Sequence, residues 1–427
     1  MQKKIIILCT VILIVVMEAL FALIGALMPG PFTGTVTDAE TNEPIANVSV
    51  SDGRNVVKTD ENGAYTLPGY SKSRFVTVTT PAGYWTENYY IPVTKDRETY
   101  DFRLDKSEKT AQADHSFLQI SDSEIGAKGV GAWIEHVRDT VKETDPAFLI
   151  HTGDICYEDG LKQHIKDMNT ENMGVPVRYV IGNHDYVAGK YGEALFESIY
   201  GPVWYSFDVG NVHYVVTPFQ TGADYASGYN KNDRWKWLEN DLANVEPGMK
   251  VVMFNHTKAP SDDYVLSYGL KKLDLKEHDL IAWVYGHYHY NYITETDGVL
   301  NISTGRPDCG GIDSSASGSR LISITANGQV STQMYYYDFE QPQAPDGANW
   351  SAQLEGNLLF ADPLAVGNQI FAATVDDDYP RTCGVYSLNA ADGSVNWFFK
   401  TLNSVKNNWS MQMGRLSHRI VRARCIA

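Results

Sequence analysis

The sequence predicts an α/β domain set between two β-rich segments, and three features carry that reading. Between about Ala113 and Asp338, short apolar runs alternate with helical patterns such as Ala132 to Val141 and Arg234 to Leu242. Five of those runs end alike: Phe117 to Asp122, Phe148 to Asp154, Tyr179 to Asn183, Val251 to His256 and Ile281 to His287. Each delivers a metal-competent side chain at a strand's carboxyl end, where open α/β sheets place their ligands. On either side of this domain the pattern changes to short alternating runs broken by turn signals.

The chain has 427 residues, which implies two to three domains at ~150 residues each. It opens with Lys3 and Lys4 before an apolar run from Ile5 to Met28, 24 residues. That length spans a bilayer, and the basic end belongs in the cytoplasm. Glu18 follows 13 apolar residues, the length of a signal-peptide core, so cleavage near Ala26 is the alternative to a retained anchor. Either way the rest of the chain is expected outside the cytoplasm, membrane-anchored at the cell surface or secreted.

From 32 to 105 turn signals at Thr41 to Pro44, Ser51 to Gly53 and Asp60 to Gly63 divide strand-like runs, which reads as an all-β sandwich. Gly34 to Asp38, Pro44 to Asp52 and Thr59 to Tyr65 resemble the carboxypeptidase-regulatory-like modules, which implies a structural spacer. From 348 to 413, Trp350 and Trp397 stand 47 residues apart, and Val385 to Trp397 resembles a blade of the quinoprotein-type (PQQ-like) β-propeller. One or two blades cannot close a propeller. A quinoprotein dehydrogenase would therefore lack a cofactor pocket. Arg415 to Ala427 is basic and does not continue the repeat, as expected of a truncated or frame-shifted chain.

A formal charge of −17 works against phosphate-backbone affinity, so nucleic acid is excluded as a partner. Five cysteines, at 9, 156, 309, 383 and 425, form neither a CxxC pair nor a finger spacing. Asp376 to Asp378 reads as a solvated loop.

The chemistry sits in an ordered series: Asp122-Ser-Glu124, Gly153-Asp154, Gly182-Asn183-His184-Asp185, His256 and Gly286-His287-Tyr288-His289. Two cations ~4 Å apart need a shared carboxylate, hard oxygen donors and neutral imidazoles. Asp154 suits the bridge, and Asn183 ligates without adding charge. His287 and His289, two apart, share one face if the backbone is extended. Glu124 would reach the ion of Asp122 by the same geometry. The mixed N/O donors suit two Mn, Fe or Zn ions better than Mg or Ca.

The series resembles the calcineurin-like metallophosphoesterases over residues 113 to 338, reinforced by Gly201 to His213. The resemblance implies a two-sheet α/β sandwich with helices outside, and hydrolysis of small phosphate mono- or diesters. Asp122, Asp154 and His289 would hold one metal, and Asp154, Asn183, His256 and His287 the other. His184 would face the scissile ester and Asp185 would orient it. The family's first motif is usually Asp-x-His, whereas this chain has Glu124; purple acid phosphatases instead place a Tyr three residues after the second Asp, as in Asp154-Ile-Cys-Tyr157. Glu124 and Tyr157 are therefore rival ligands for one position. The alternative to an enzyme is a catalytically weak or inactive cell-surface scaffold, and substitution at Glu124 is what would produce it.

Overall fold

A computed structural model describes residues 30–125, 130–218, 225–307, 317–337, 346–354, 358, 360–375, 383–401, 404–406, 410–412 and 415–417. The apolar segment 5–28 and Asp376 to Asp378 lie outside them, as do residues 219–224 and 308–316. Among the described residues no helix is long and apolar enough to cross a membrane.

The first domain consists of two four-stranded sheets. Ala64–Leu67, Phe32–Asp38, Phe102–Lys106 and Tyr84–Trp85 form one; Val56–Lys58, Ser49–Ser51, Phe75–Val78 and Tyr90–Pro92 form the other. Phe32–Asp38 buries alternate residues, the period-2 pattern that put Val36 and Asp38 inside.

The second domain has two larger sheets. The order in one is Val177–Tyr179, Phe148–His151, His115–Ile120, Gly318–Ile324, Val330–Tyr336, with its first three strands parallel. The other runs Tyr205–Val209, Val212–Val216, Lys250–Phe254, Leu280–Tyr285, Val299–Ser303, Tyr292–Thr296. Both faces of the central strands are buried, so they read as continuous apolar runs. Alternate residues serve different cores. Phe117, Phe148, Val252 and Phe254 belong to the layer between the sheets. Leu118, Leu149, Val251 and Met253 join helical residues such as Trp133, Val137, Trp237 and Leu238 from helices Val130–Thr144 and Lys231–Leu242. Stacked and edge-on rings of Phe117, Phe148, Tyr214 and Phe254 fill the middle layer. This is the two-sheet sandwich with outer helices that the sequence predicted.

The N-terminal sandwich is more than a spacer. Val36, Val50 and Leu67 lie in the same buried cluster as Phe117 and Phe254. Thr80 forms a parallel bridge to Phe207, continuing strand pairing from one domain to the next. Arg178 of the second domain, fully buried, lies 3.7 Å from the Trp85 ring centre and 4.1 Å from that of Tyr89, and donates to the Thr86 carbonyl at 3.2 Å. In the other direction, Arg74 reaches between Tyr191 and Tyr229, 3.6 and 3.9 Å from their centres, and pairs with buried Glu193 and Glu197. Burying this surface makes the two domains one core.

The C-terminal segment forms a four-stranded antiparallel sheet, Leu364–Val366, Gln369–Ala373, Gly384–Asn389, Val395–Lys400, and a hairpin of Ser410–Gln412 with Arg415–Ser417. Trp350 packs over Gly393 and donates to the Ala390 carbonyl at 2.9 Å. Trp397 lies on the outer strand, which is exposed along its whole length.

Candidate metal centre

Every predicted ligand follows a strand end by two to four residues. Asp122 follows His115–Ile120, Asp154 follows Phe148–His151, Asn183 follows Val177–Tyr179, His256 follows Lys250–Phe254 and His287 follows Leu280–Tyr285. The chain does not stay extended there. Asp122, Glu124, Asp154, Cys156, Tyr157, His287 and His289 all have left-handed backbones, with φ between 43° and 74°. Such residues are uncommon and cluster where function over-determines them. The extended geometry expected for Asp122-x-Glu124 and His287-x-His289 is therefore corrected: tight turns, not the strand pleat, aim these side chains.

Asp154, His256 and His287 bring one ligand atom each to within 4.8 Å of one another. His256 Nε2 lies 3.1 Å from Asp154 Oδ2, while its Nδ1 donates to the Thr152 carbonyl at 2.7 Å, which fixes the tautomer that presents Nε2 inward. Next to this group, Asp122 Oδ1 lies 3.3 Å from His289 Nε2 and 4.0 Å from His256 Nε2. The Asp122 carboxylate is held by its Oδ2, which accepts from Ser121 Oγ at 2.5 Å and the His287 N–H at 3.0 Å. Asn183 begins a short 3-10 turn, Asn183–Asp185, and its Oδ1 is buried with no hydrogen-bond partner among the described residues. A buried amide oxygen left unbonded is costly unless it meets a cation.

The electrostatics agree. Burial opposes charge on His256, yet Asp154 and Asp122 raise it to about 9. Burial likewise opposes the Asp154 charge, and the His256 imidazolium with the His184 N–H holds that carboxyl below its usual range. His287 is pushed down by burial and then by His256. His289 is pushed up by its hydrogen bond to Asp122. A cation that binds such a cluster displaces those protons, so its affinity falls as the pH drops. Asp154, His256 and His287 thus form one group with Asp122 and His289 beside it, and this donor set of carboxylates and imidazoles, with the Asn183 amide, suits transition-metal ions.

Two glycines give the site its closeness. A Cβ on Gly286 would meet Ser121 Oγ and Asp122 Oδ2, and one on Gly182 would meet the Asp154 carboxylate and backbone.

The remaining predicted residues fall around this cluster. The His184 N–H donates to Asp154 Oδ1 at 2.9 Å, and its Nδ1 lies 3.4 Å from Tyr157 Oη. Asp185 is buried and accepts from the Gly182, Asp154 and Cys156 N–H groups at 2.8–3.0 Å, tying two ligand loops together. Burial and Asp154 push its carboxyl up to about 7 against those donors. Tyr157 is 57% exposed. Glu124 accepts from Arg306 Nη2 at 2.6 Å. The sequence alone assigns Arg306 no partner and His151 no role, yet His151 bonds Ser123 Oγ at 2.8 Å and the Gly153 N–H at 3.1 Å, bracing the first two loops.

Residues 115–291 match the calcineurin-like phosphoesterase family, and residues 30–107 match the N-terminal domain of calcineurin-like phosphoesterases. The second match places the first domain with calcineurin-like phosphoesterases and does not itself name a carboxypeptidase-regulatory-like module. No curated protein matches the chain. Among solved structures, a dimetal phosphatase from Danio rerio aligns at 12% identity over 52% of this chain and 99% of its own, TM-score 0.37. A phosphopantetheinyl hydrolase from Mycobacterium tuberculosis aligns at 18% over 46% and 91%, TM-score 0.33. An archaeal phosphodiesterase aligns at 15% over 52% and 99%, TM-score 0.28. Residues 30–107 and 115–291 are thus similar to the two domains of calcineurin-like phosphoesterases, and the second stretch carries Asp122, Asp154, Asn183, His256, His287 and His289.

Proposed function

We propose that this chain hydrolyses small phosphate esters at a dinuclear Mn, Fe or Zn centre held by Asp122, Asp154, Asn183, His256, His287 and His289. The observation that carries the reading is the convergence of Asp154, His256 and His287 within 4.8 Å, with Asp122 and His289 adjoining. Two such ions, when bound, acidify water and neutralise charge developing on the phosphoryl oxygens. The protein's own contribution is positional. Asp185 and the Thr152 carbonyl lock the ligand loops, and the His184 backbone N–H fixes the Asp154 carboxylate. With Nδ1 beside Tyr157 Oη, His184 uses Nε2 to protonate the leaving oxygen.

We also read the chain as anchored by Ile5 to Met28 and working outside the cytoplasm, on the strength of Lys3 and Lys4 before that run. The sheet between Leu364 and Lys400 is read as one propeller-like blade, because four antiparallel strands in sequence order are the unit of that architecture. The purified chain, supplied with Mn, Fe or Zn and offered aryl phosphate mono- and diesters, tests the function. Turnover that a chelator removes and metal restores supports it; a chain that binds metal and turns over neither ester is the scaffold instead.

A further inference from the structure

Glu124 stands where the family resemblance puts a ligand imidazole, but its carboxylate is committed to a cation supplied by the protein. Its Oε2 meets Arg306 Nη2 at 2.6 Å, and both side chains are mostly buried, 29% and 20% exposed. Glu124 has little freedom to turn elsewhere: φ is 43° and its N–H donates to the Asp154 carbonyl. Arg306 follows the strand Val299–Ser303, which pairs with Leu280–Tyr285, the strand leading to His287 and His289. Glu124 lies two residues after Asp122 and bonds the Asp154 backbone, so its ion pair sets Arg306 beside the Asp122 side of the cluster.

An arginine there answers a problem of charge. Asp122, Glu124, Asp154 and Asp185 crowd one site in a chain of formal charge −17, and a phosphate dianion approaching it needs cationic help. A guanidinium has five N–H donors in a planar fork that matches phosphate oxygens. An ion pair through one Nη2 fixes the plane of that fork at the rim of the site.

We propose that Arg306 anchors the substrate phosphate and that Glu124 is its positioning residue rather than a metal ligand. This rests on the phosphoesterase reading above. The test uses the full chain loaded with Mn²⁺, elemental analysis for metal content and calorimetric titration with inorganic phosphate. Arg306→Ala should keep two ions per chain and weaken phosphate binding by ~10–100-fold, the scale of a charge-assisted hydrogen bond. Arg306→Lys, the milder change, should recover part of that loss. Glu124→Gln should also keep both ions and weaken phosphate binding, but cause no further loss once Arg306 is Ala, because the two act as one unit. Loss of one ion in Glu124→Gln would make Glu124 a ligand and overturn the proposal. Unchanged phosphate affinity in both Arg306 variants would reduce the pair to a loop tie and overturn it as well. A wild-type chain that takes up no metal would instead defeat the phosphoesterase reading itself, before any variant is compared.

Discussion

His213 offers the sharpest stability prediction. It is buried in the strand Val212–Val216, its Nδ1 2.7 Å from Asp208 Oδ1 and its Nε2 3.0 Å from Asp241 Oδ2. Asp241 also accepts from Ser206 Oγ at 2.8 Å, and that hydroxyl meets Thr79 Oγ1 of the first domain at 2.9 Å. The network therefore spans the seam between domains. Burial opposes the imidazolium, but Asp241 and then Asp208 raise it to about 10 from an ordinary 6.5. At ~1.4 kcal/mol per tenfold in proton affinity, that difference is worth at most roughly 5 kcal/mol. Removing one partner of a buried pair costs ~3–5 kcal/mol by a separate route, so the two figures agree in scale. Because the folded pKa is raised, the contribution is complete below the unfolded value and is lost as pH rises from about 6.5 through about 10. Urea unfolding of wild type and His213→Gln, followed by tryptophan fluorescence in chelator, should show a stability gap of ~3–5 kcal/mol at pH 6. The gap should shrink by up to ~1.4 kcal/mol per pH unit between those limits. A gap that stays constant from pH 6 to 10 would refute a charged His213.

Three further expectations follow from the site. His184→Ala should lower kcat by about two to four powers of ten with metal content unchanged, as for a group acting in the transition state; loss of metal would make it a ligand. Gly286→Ala should reduce occupancy of the Asp122 and His289 side, since its Cβ meets Asp122 Oδ2 and Ser121 Oγ; metal analysis showing two tightly held ions would contradict that. Tyr157→Phe should leave metal content and any visible colour unchanged, because Tyr157 Oη lies beside His184; loss of a phenolate-to-iron band would restore Tyr157 as a ligand.

The strands of the second domain were legible because parallel strands buried on both faces are short apolar runs, and the candidate ligands are the metal-competent residues just beyond them. Asp122, Asp154, Asn183, His256 and His287 could be found by that rule alone. The local backbone could not. Glu124 and His289 take left-handed backbones, and Gly153, Gly182 and Gly286 pack closely against ligands on other strands, neither of which a local pattern encodes. His213 looked like an ordinary strand residue, since its partner Asp241 is 28 residues away on a helix. Arg306 pairs with Glu124 across 182 residues, a separation at which a single sequence carries no signal. The shared core of the first two domains was hidden for the same reason: each sandwich shows its own period, and nothing in the period says that Arg178 will lie between Trp85 and Tyr89.

The proposed dinuclear centre draws six side chains from five strand ends, with Asp154 between two sets. Elemental analysis of the purified chain, before and after exhaustive chelation and after reloading with Mn, Fe or Zn, tests it directly. The account predicts close to two transition-metal ions per chain and turnover of aryl phosphate that falls and returns with them. Asp154→Asn should lose both ions together, as a shared carboxylate requires. A metal-free chain that hydrolyses aryl phosphate at its full rate, or an Asp154→Asn variant that keeps two ions, would contradict it.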